Sequence, residues 1–294
     1  MNWTTDAFLG RLYALASEQR LQCGPDETKE KVQGRLRGEL KRVLGAFPAE
    51  RQPLGAAVLE RIEYDDFIVE RVSYSTMEAM QVPVLVLVPK DGPGPWPAVL
   101  ACHGHGNGQL DAAGLGPDFR ELDDPGIHNR FAVQLVRQGL LVVVPEIMGF
   151  GERRMAGELK ANPHGSSCGM LASQLLMYGR TLAGMRVYEA MRAVDYIESR
   201  ADVLPARVGA FGFSGGSLIA AFASALDERL GATVLCGWTN TFRGSIMAMH
   251  HCRQLYAGNA AASRAAGMDR AYGPEGIIRG IGCSRPDLPG GTCA

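Results

Sequence analysis

The chain has 294 residues, 46% of them hydrophobic and 21% charged, so it can bury a substantial core, most simply as one large domain with a decorated end. Thirty Lys and Arg against 31 Asp and Glu leave a formal net charge of −1, which argues against a nucleic-acid or anionic-membrane partner. Seven scattered cysteines (Cys23, Cys102, Cys168, Cys236, Cys252, Cys283 and Cys293) contain no C-x-x-C pair, against a zinc site, and their odd number argues against a disulfide framework.

The opening MNWTTDAFLGRLYALASEQR has charges scattered through it and no unbroken apolar core, unlike a signal peptide, and no apolar run approaches the length of a membrane span. The expected location is the reduced cytoplasm. Residues 3–62 read as helical: Phe8, Leu12 and Leu15, then Leu40, Val43 and Leu44, fall at three- and four-residue spacing, with Gly24-Pro25 and Pro53 as punctuation.

From Phe67 the period changes to two. Phe67–Tyr74 and Val82–Pro89 are strand-like and predict an antiparallel start; after the turn at residues 91–95, Trp96–Cys102 reads as a buried strand running into His103-Gly104-His105-Gly106. A glycine-rich loop follows, then a helix near Asn129–Gln138, a strand over Leu140–Pro145 and a long helical stretch from about Gly169 to Ser199. Next come a short strand over Val208–Phe211, a helix over Ser217–Leu230 and a strand over Ala232–Trp238. Alternating strands and helices predict a mostly parallel, doubly wound α/β sheet with helices on both faces, whose functional loops lie at the carboxyl ends of the strands.

The stretch RVGAFGFSGGSL, residues 207–218, carries the chemistry. Strand, tight turn and helix surround Gly212-Phe213-Ser214-Gly215-Gly216, the context that a G-x-S-x-G nucleophile elbow requires. Glycines allow the sharp turn that pushes the serine hydroxyl into the open, and the helix N-terminus aims free N–H groups at the same place. An ester carbonyl attacked by Ser214 needs donors for its developing oxyanion: the N–H of Gly215 and, from the earlier strand's loop, that of His105. A metal role for His103 and His105 is rejected because no third ligand of suitable spacing is evident. Neither a P-loop lysine nor G-x-G-x-x-G after a strand is found, which sets a nucleotide module aside. Cys102, Cys168 and Cys236 lie on or beside apolar segments, where burial is the expected role.

HGHG after one strand, PEIMGFGERR after the next, GFSGGS, the helix LLMYGRTLAGMRVYEAMRAVDYIESR and the segment GWTNTFRGSIMAMHHC together resemble the bacterial α/β-hydrolases of the acetyl xylan esterase and dienelactone hydrolase-like group, over roughly Tyr64 to Cys252. The resemblance implies the α/β-hydrolase fold and hydrolysis of small-molecule carboxylic esters by a Ser-Asp-His triad, without metal or organic cofactor; a homo-oligomer is left open. It divides the chain into an N-terminal helical extension (1–62), a hydrolase core (63–252) and an irregular tail (253–294). In PEIMGFGERR, Glu146 stands where the pattern usually has Asp, and Gly149, Gly151, Glu152 and Arg153 read as loop architecture with a structural ion pair.

The triad order Ser, then Asp or Glu, then His requires partners after Ser214. The 42 residues Arg253–Ala294 contain no strand-like run and no histidine, so Asp269 and Asp287 have no histidine downstream. His250 and His251 read as surface or cap residues of a helix over Phe242–Met249, and nothing in the sequence places His128 or His164 by the serine. Triad acid and base are therefore unassigned. Members of the group tend to continue after a His-Cys like His251-Cys252 with Asn-Tyr-x-Pro-Gly. Arg253–Asn259 can be encoded so that a one-base shift reads Asp-Asn-Tyr-Met-Pro-Gly, which predicts a frameshift after Cys252, loss of the last strands and a marginal, exposed sheet edge. Two functions are thus expected as alternatives: a serine esterase, or a catalytically inactive truncated hydrolase.

Overall fold

The computed structural model describes residues 4–18, 27–162, 165–238, 240 and 242–245. Two helices, α1 (Asp6–Glu18) and α2 (Lys29–Val43), precede a run of four strands: β1 (Ala57–Glu63), β2 (Phe67–Met77), β3 (Met80–Pro89) and β4 (Trp96–Cys102). Then come α3 (Gln109–Ala113), α4 (Phe131–Val136), β5 (Leu141–Pro145), α5 (Ala156–Ala161), α6 (Cys168–Met177) and α7 (Leu182–Ser199). The remainder is β6 (Val203–Phe213), α8 (Gly215–Leu226), β7 (Leu230–Cys236) and α9 (Phe242–Ser245).

The strands form one seven-stranded sheet in the order β1-β2-β3-β5-β4-β6-β7. β1, β2, β3 and β5 pair antiparallel in succession, while β5, β4, β6 and β7 run parallel. The sheet is therefore mixed, its antiparallel start as the sequence predicts. The Val-rich stretches explain the centre. Val142, Val143 and Val144 of β5 are wholly buried, because the central strand is covered on both faces. On one face α2, α7 and α8 close the core around Val143, Leu100, Val187, Val194 and Phe222. On the other, α3 and α4 pack Ala113, Phe131 and Val133 onto Val142, Val144 and Ala101. Each of these buried Val, Leu and Phe side chains contributes about 1.5–3 kcal/mol of hydrophobic stabilisation.

Two local readings need correction. Helix does not continue to residue 62: Ala57–Glu63 is an edge strand paired with β2. Its Val58 and Leu59 are exposed, so no alternation with a core face marks it in the sequence. The stretch Gly169–Ser199 is also two helices rather than one. Gly179 adopts φ +66°, and the Thr181 hydroxyl caps α7 by accepting from the Gly184 N–H at 2.8 Å while donating to the Leu44 carbonyl at 2.6 Å. That bond ties the end of α2 to the start of α7. A Cβ at Gly184 would lie 2.0 Å from the Leu44 oxygen, so this junction admits only glycine. The tail after Cys252, and with it the predicted frameshift, lies outside the described residues, as do His164, His250 and His251.

Candidate active site

Three adjacent parallel strands, β5, β4 and β6, deliver their C-terminal loops to one place. Cys102 at the end of β4 pairs with Gly212 near the end of β6. The His103–Gln109 loop therefore emerges beside the Phe213–Gly216 turn, with the loop after Pro145 on its other side.

Ser214 sits at φ 52° and ψ −118°, between the last residue of β6 and the first of α8. Such backbone is sparsely populated for any residue but glycine and typically costs on the order of 1–3 kcal/mol. The surroundings over-determine it. The Ser214 N–H donates to the Cys236 carbonyl at 2.7 Å. The Ser217 hydroxyl lies 2.7 Å from both the Gly212 and Cys236 carbonyls and accepts from the Cys236 N–H at 3.0 Å. Turn, helix and edge strand are thus bolted together beneath the serine. Close approach explains the glycines: a Cβ at Gly212 would meet the Gly216 oxygen at 2.5 Å, and one at Gly216 would meet the Cys102 oxygen at 2.1 Å. Gly215 opens α8, where an N–H has no intrahelical partner.

The His103–Gln109 loop packs directly against this turn. A Cβ at Gly104 would stand 2.9 Å from the Ser214 Cβ. Both backbone polar groups of Gly104 are engaged: its N–H donates to His128 Nε2 at 3.1 Å, and its carbonyl is 2.8 Å from His103 Nδ1. The His128 ring also lies 4.9 Å from that of Phe213. Burial holds the His128 imidazole below the ordinary histidine range, opposed by nearby Asp111 and helped by His103 and His105. His128 therefore stands under the site, although nothing in the sequence put it there; the signal is tertiary, since 24 residues separate it from Gly104. His105 sets its ring edge-on to Phe150 at 4.9 Å. Its backbone N–H makes no hydrogen bond among the described residues.

The loop after β5 is architecture, and its ion pair can be named. Arg153 reaches both carboxylate oxygens of Glu189 on α7, each at 2.7 Å. Arg186, also on α7, donates to the Met148 carbonyl at 2.9 Å and lies over the Phe150 ring at 4.9 Å. Burial pushes the Cys102 thiol up to about 12, and Cys168 is buried too; Cys236, expected to be buried, is exposed at the end of β7, the last strand of the sheet among the described residues.

A strained serine between a parallel strand and a helix, beside a glycine-bearing loop from the neighbouring strand, defines the α/β-hydrolase class. The Abhydrolase family model matches residues 24–236, and the chain belongs to that family. It is 34% identical over 205 residues to the Bacillus subtilis (strain 168) protein named "Putative hydrolase YtaP", covering 68% of this chain. The match spans 62% of that relative's length. Among solved structures, a "putative acetyl xylan esterase" from Bacteroides fragilis NCTC 9343 superposes with a TM-score of 0.76 at 17% identity, over 96% of this chain and 74% of the other. A glucuronoyl esterase from Solibacter usitatus gives 0.56 at 16% identity, over 88% and 74%. At these identities the likeness is one of fold. Among the described residues no helix is long and apolar enough to cross a membrane.

Proposed function

We propose that the chain is a carboxylic ester hydrolase acting on small acyl esters, acetylated carbohydrates among them, with Ser214 as nucleophile. The observation that carries this reading is Ser214 itself: a non-glycine residue at φ 52°, held on the first turn of α8 with the Gly104 loop against it. Strain maintained by this many contacts is typical of a functional position. In the reaction, Ser214 Oγ bonds to the acyl carbon as its proton passes to a base. The carbonyl electrons move to oxygen, where the N–H groups of Gly215 and His105 stabilise them. Collapse expels the alcohol, which takes up that proton, and water then releases the acid by the same route. Names of the structural relatives, acetyl xylan esterase and glucuronoyl esterase, support ester substrates.

A second reading, a hydrolase without turnover, is favoured by one fact. Among the described residues no histidine hydrogen-bonds the Ser214 hydroxyl: His128 Nε2 is taken by Gly104, His103 Nε2 by the Ile147 N–H at 3.1 Å, and His105 Nε2 is buried without a partner. The candidates His250 and His251 lie outside the described residues. Incubation with p-nitrophenyl acetate and a fluorophosphonate probe separates the two. The esterase reading expects turnover and labelling, both abolished in Ser214→Ala with a kcat loss of about 10⁴-fold or more. Labelling without turnover, or neither, establishes the inactive hydrolase.

A further inference from the structure

The interior beneath the site holds a carboxylate that the reaction above does not use. Glu146 follows β5 and is 2% exposed. Its Oε1 accepts from the Gln109 N–H at 3.2 Å and lies 3.0 Å from His103 Nε2. Two loops close on it. A Cβ at Gly108 would sit 2.3 Å from Oε1, and one at Gly151 would sit 2.1 Å from Oε2; both glycines have positive φ, +96° and +49°. The carboxylate is therefore gripped between the loop carrying His105 and the turn after Phe150, in space that only glycine leaves open.

His103 extends the grip. Its ring is wholly buried, with Nδ1 on the Gly104 carbonyl and Nε2 facing both the Ile147 N–H and Glu146. Behind this pair the 147–153 turn is fixed to α7 by Arg153–Glu189 and by Arg186 on the Met148 carbonyl, and Arg153 also donates to the Glu146 carbonyl at 3.0 Å. A continuous set of contacts runs from α7 through the turn to Glu146 and His103, and then to Gly104 and His105 beside Ser214.

We infer that Glu146, acting through the Gln109 N–H and its close packing against Gly108, is a positioning residue that fixes the His103–Gln109 loop so that the His105 N–H faces the acyl oxygen at Ser214. The inference rests on the esterase reading for its catalytic consequence, while the clamp itself is independent of it. An oxyanion donor displaced by about 1 Å loses up to about 10²-fold in rate, because transition-state stabilisation depends on alignment fixed in advance.

The test compares the full-length wild type with Glu146→Ala, Glu146→Gln and Gly108→Ala by amide hydrogen exchange and by steady-state kinetics on p-nitrophenyl acetate. In Glu146→Ala the amides of residues 105–109 exchange faster while those of α7 do not change. Its kcat falls by about 10- to 100-fold with KM within about twofold, since the lost interaction matters only in the transition state. Gly108→Ala, which presses a methyl onto the carboxylate from the loop side, shows the same pattern and serves if Glu146→Ala does not fold. Glu146→Gln keeps length and polarity and retains exchange and kcat near wild type. Unchanged loop exchange in the folded variants overturns the clamp. Faster exchange with unchanged kcat, or a loss carried by KM alone, overturns its catalytic role, as does an equal loss in Glu146→Gln. Absence of turnover in the wild type refutes the esterase reading, and exchange then decides the clamp alone.

Discussion

The two flanks of Ser214 are built differently. On the β5–β4 side the strands are buried and the loops are cross-tied by Glu146, His103, Arg153 and Arg186. On the other side β7 is the last strand of the sheet among the described residues. Along Leu230–Cys236 only Leu230 is buried, and Val234 stays 55% exposed. Yet β7 still contributes to the turn, through the Cys236 carbonyl and N–H that hold Ser214 and Ser217. The Ser214 backbone is thus set jointly by a rigid interior and the polar groups of β7. The His103–Gln109 loop is held from the interior side. Damage on the β5 side should therefore be severe, and comparable changes on β7 mild.

The largest contrast is expected from the Arg153–Glu189 pair, whose side chains are 6% and 7% exposed. Glu189→Gln leaves a buried guanidinium without its counter-charge, which costs about 3–5 kcal/mol. A chemical-denaturation midpoint within experimental error of wild type would remove this pair from the rigid flank. Next comes a matched pair of glycine substitutions. Gly216→Ala drives a methyl to 2.1 Å from the Cys102 oxygen and should cost about 1–3 kcal/mol, together with the turnover that the proposed esterase reading expects, by separating β4 from the elbow. Gly231→Ala on β7 meets nothing nearer than the Val208 oxygen at 3.9 Å, so its effect should stay within about 0.5 kcal/mol. Equal losses in the two variants would erase the distinction between the flanks.

The same division decides what the sequence discloses. Elements that obey a strong local rule are legible. The Val-rich β3 and β5 follow from period, and the elbow at Gly212–Gly216 and the loop at Gly104 follow from glycine spacing; the structure places these last two at the ends of the adjacent strands β6 and β4. β1 is illegible because only Ile62 of it packs against the core, so Ala57–Glu63 lacks the alternation that identifies strands. The α6–α7 break is written in Gly179 and Thr181, but a continuous run of apolar residues at helical spacing outweighs those signals. His128, Glu146 and Glu189 are illegible in a different way. Each is an ordinary polar residue in sequence, and its meaning comes from partners 24, 37 and 36 positions distant. Arg153 can be read as half of an ion pair, but which carboxylate completes it depends on how α7 crosses the sheet.

The smallest predicted effect concerns pH and His128, a titrating acceptor on the rigid flank. His128 Nε2 can accept the Gly104 N–H only while unprotonated. Burial lowers its pKa below the ordinary value of about 6.5, with His103 and His105 adding to the shift and Asp111 opposing it. The unfolded chain therefore binds a proton at this site before the native protein does, and stability must fall where the two differ. The contribution is complete above about pH 6.5 and is lost as pH drops through the lower native value. His128→Gln supplies an oxygen acceptor that does not titrate, so urea midpoints of the variant should decline less steeply than wild type between neutral pH and about pH 5. Parallel curves would mean that the Gly104 N–H does not depend on His128. The hold of the His103–Gln109 loop on the elbow would then come from the Glu146 side.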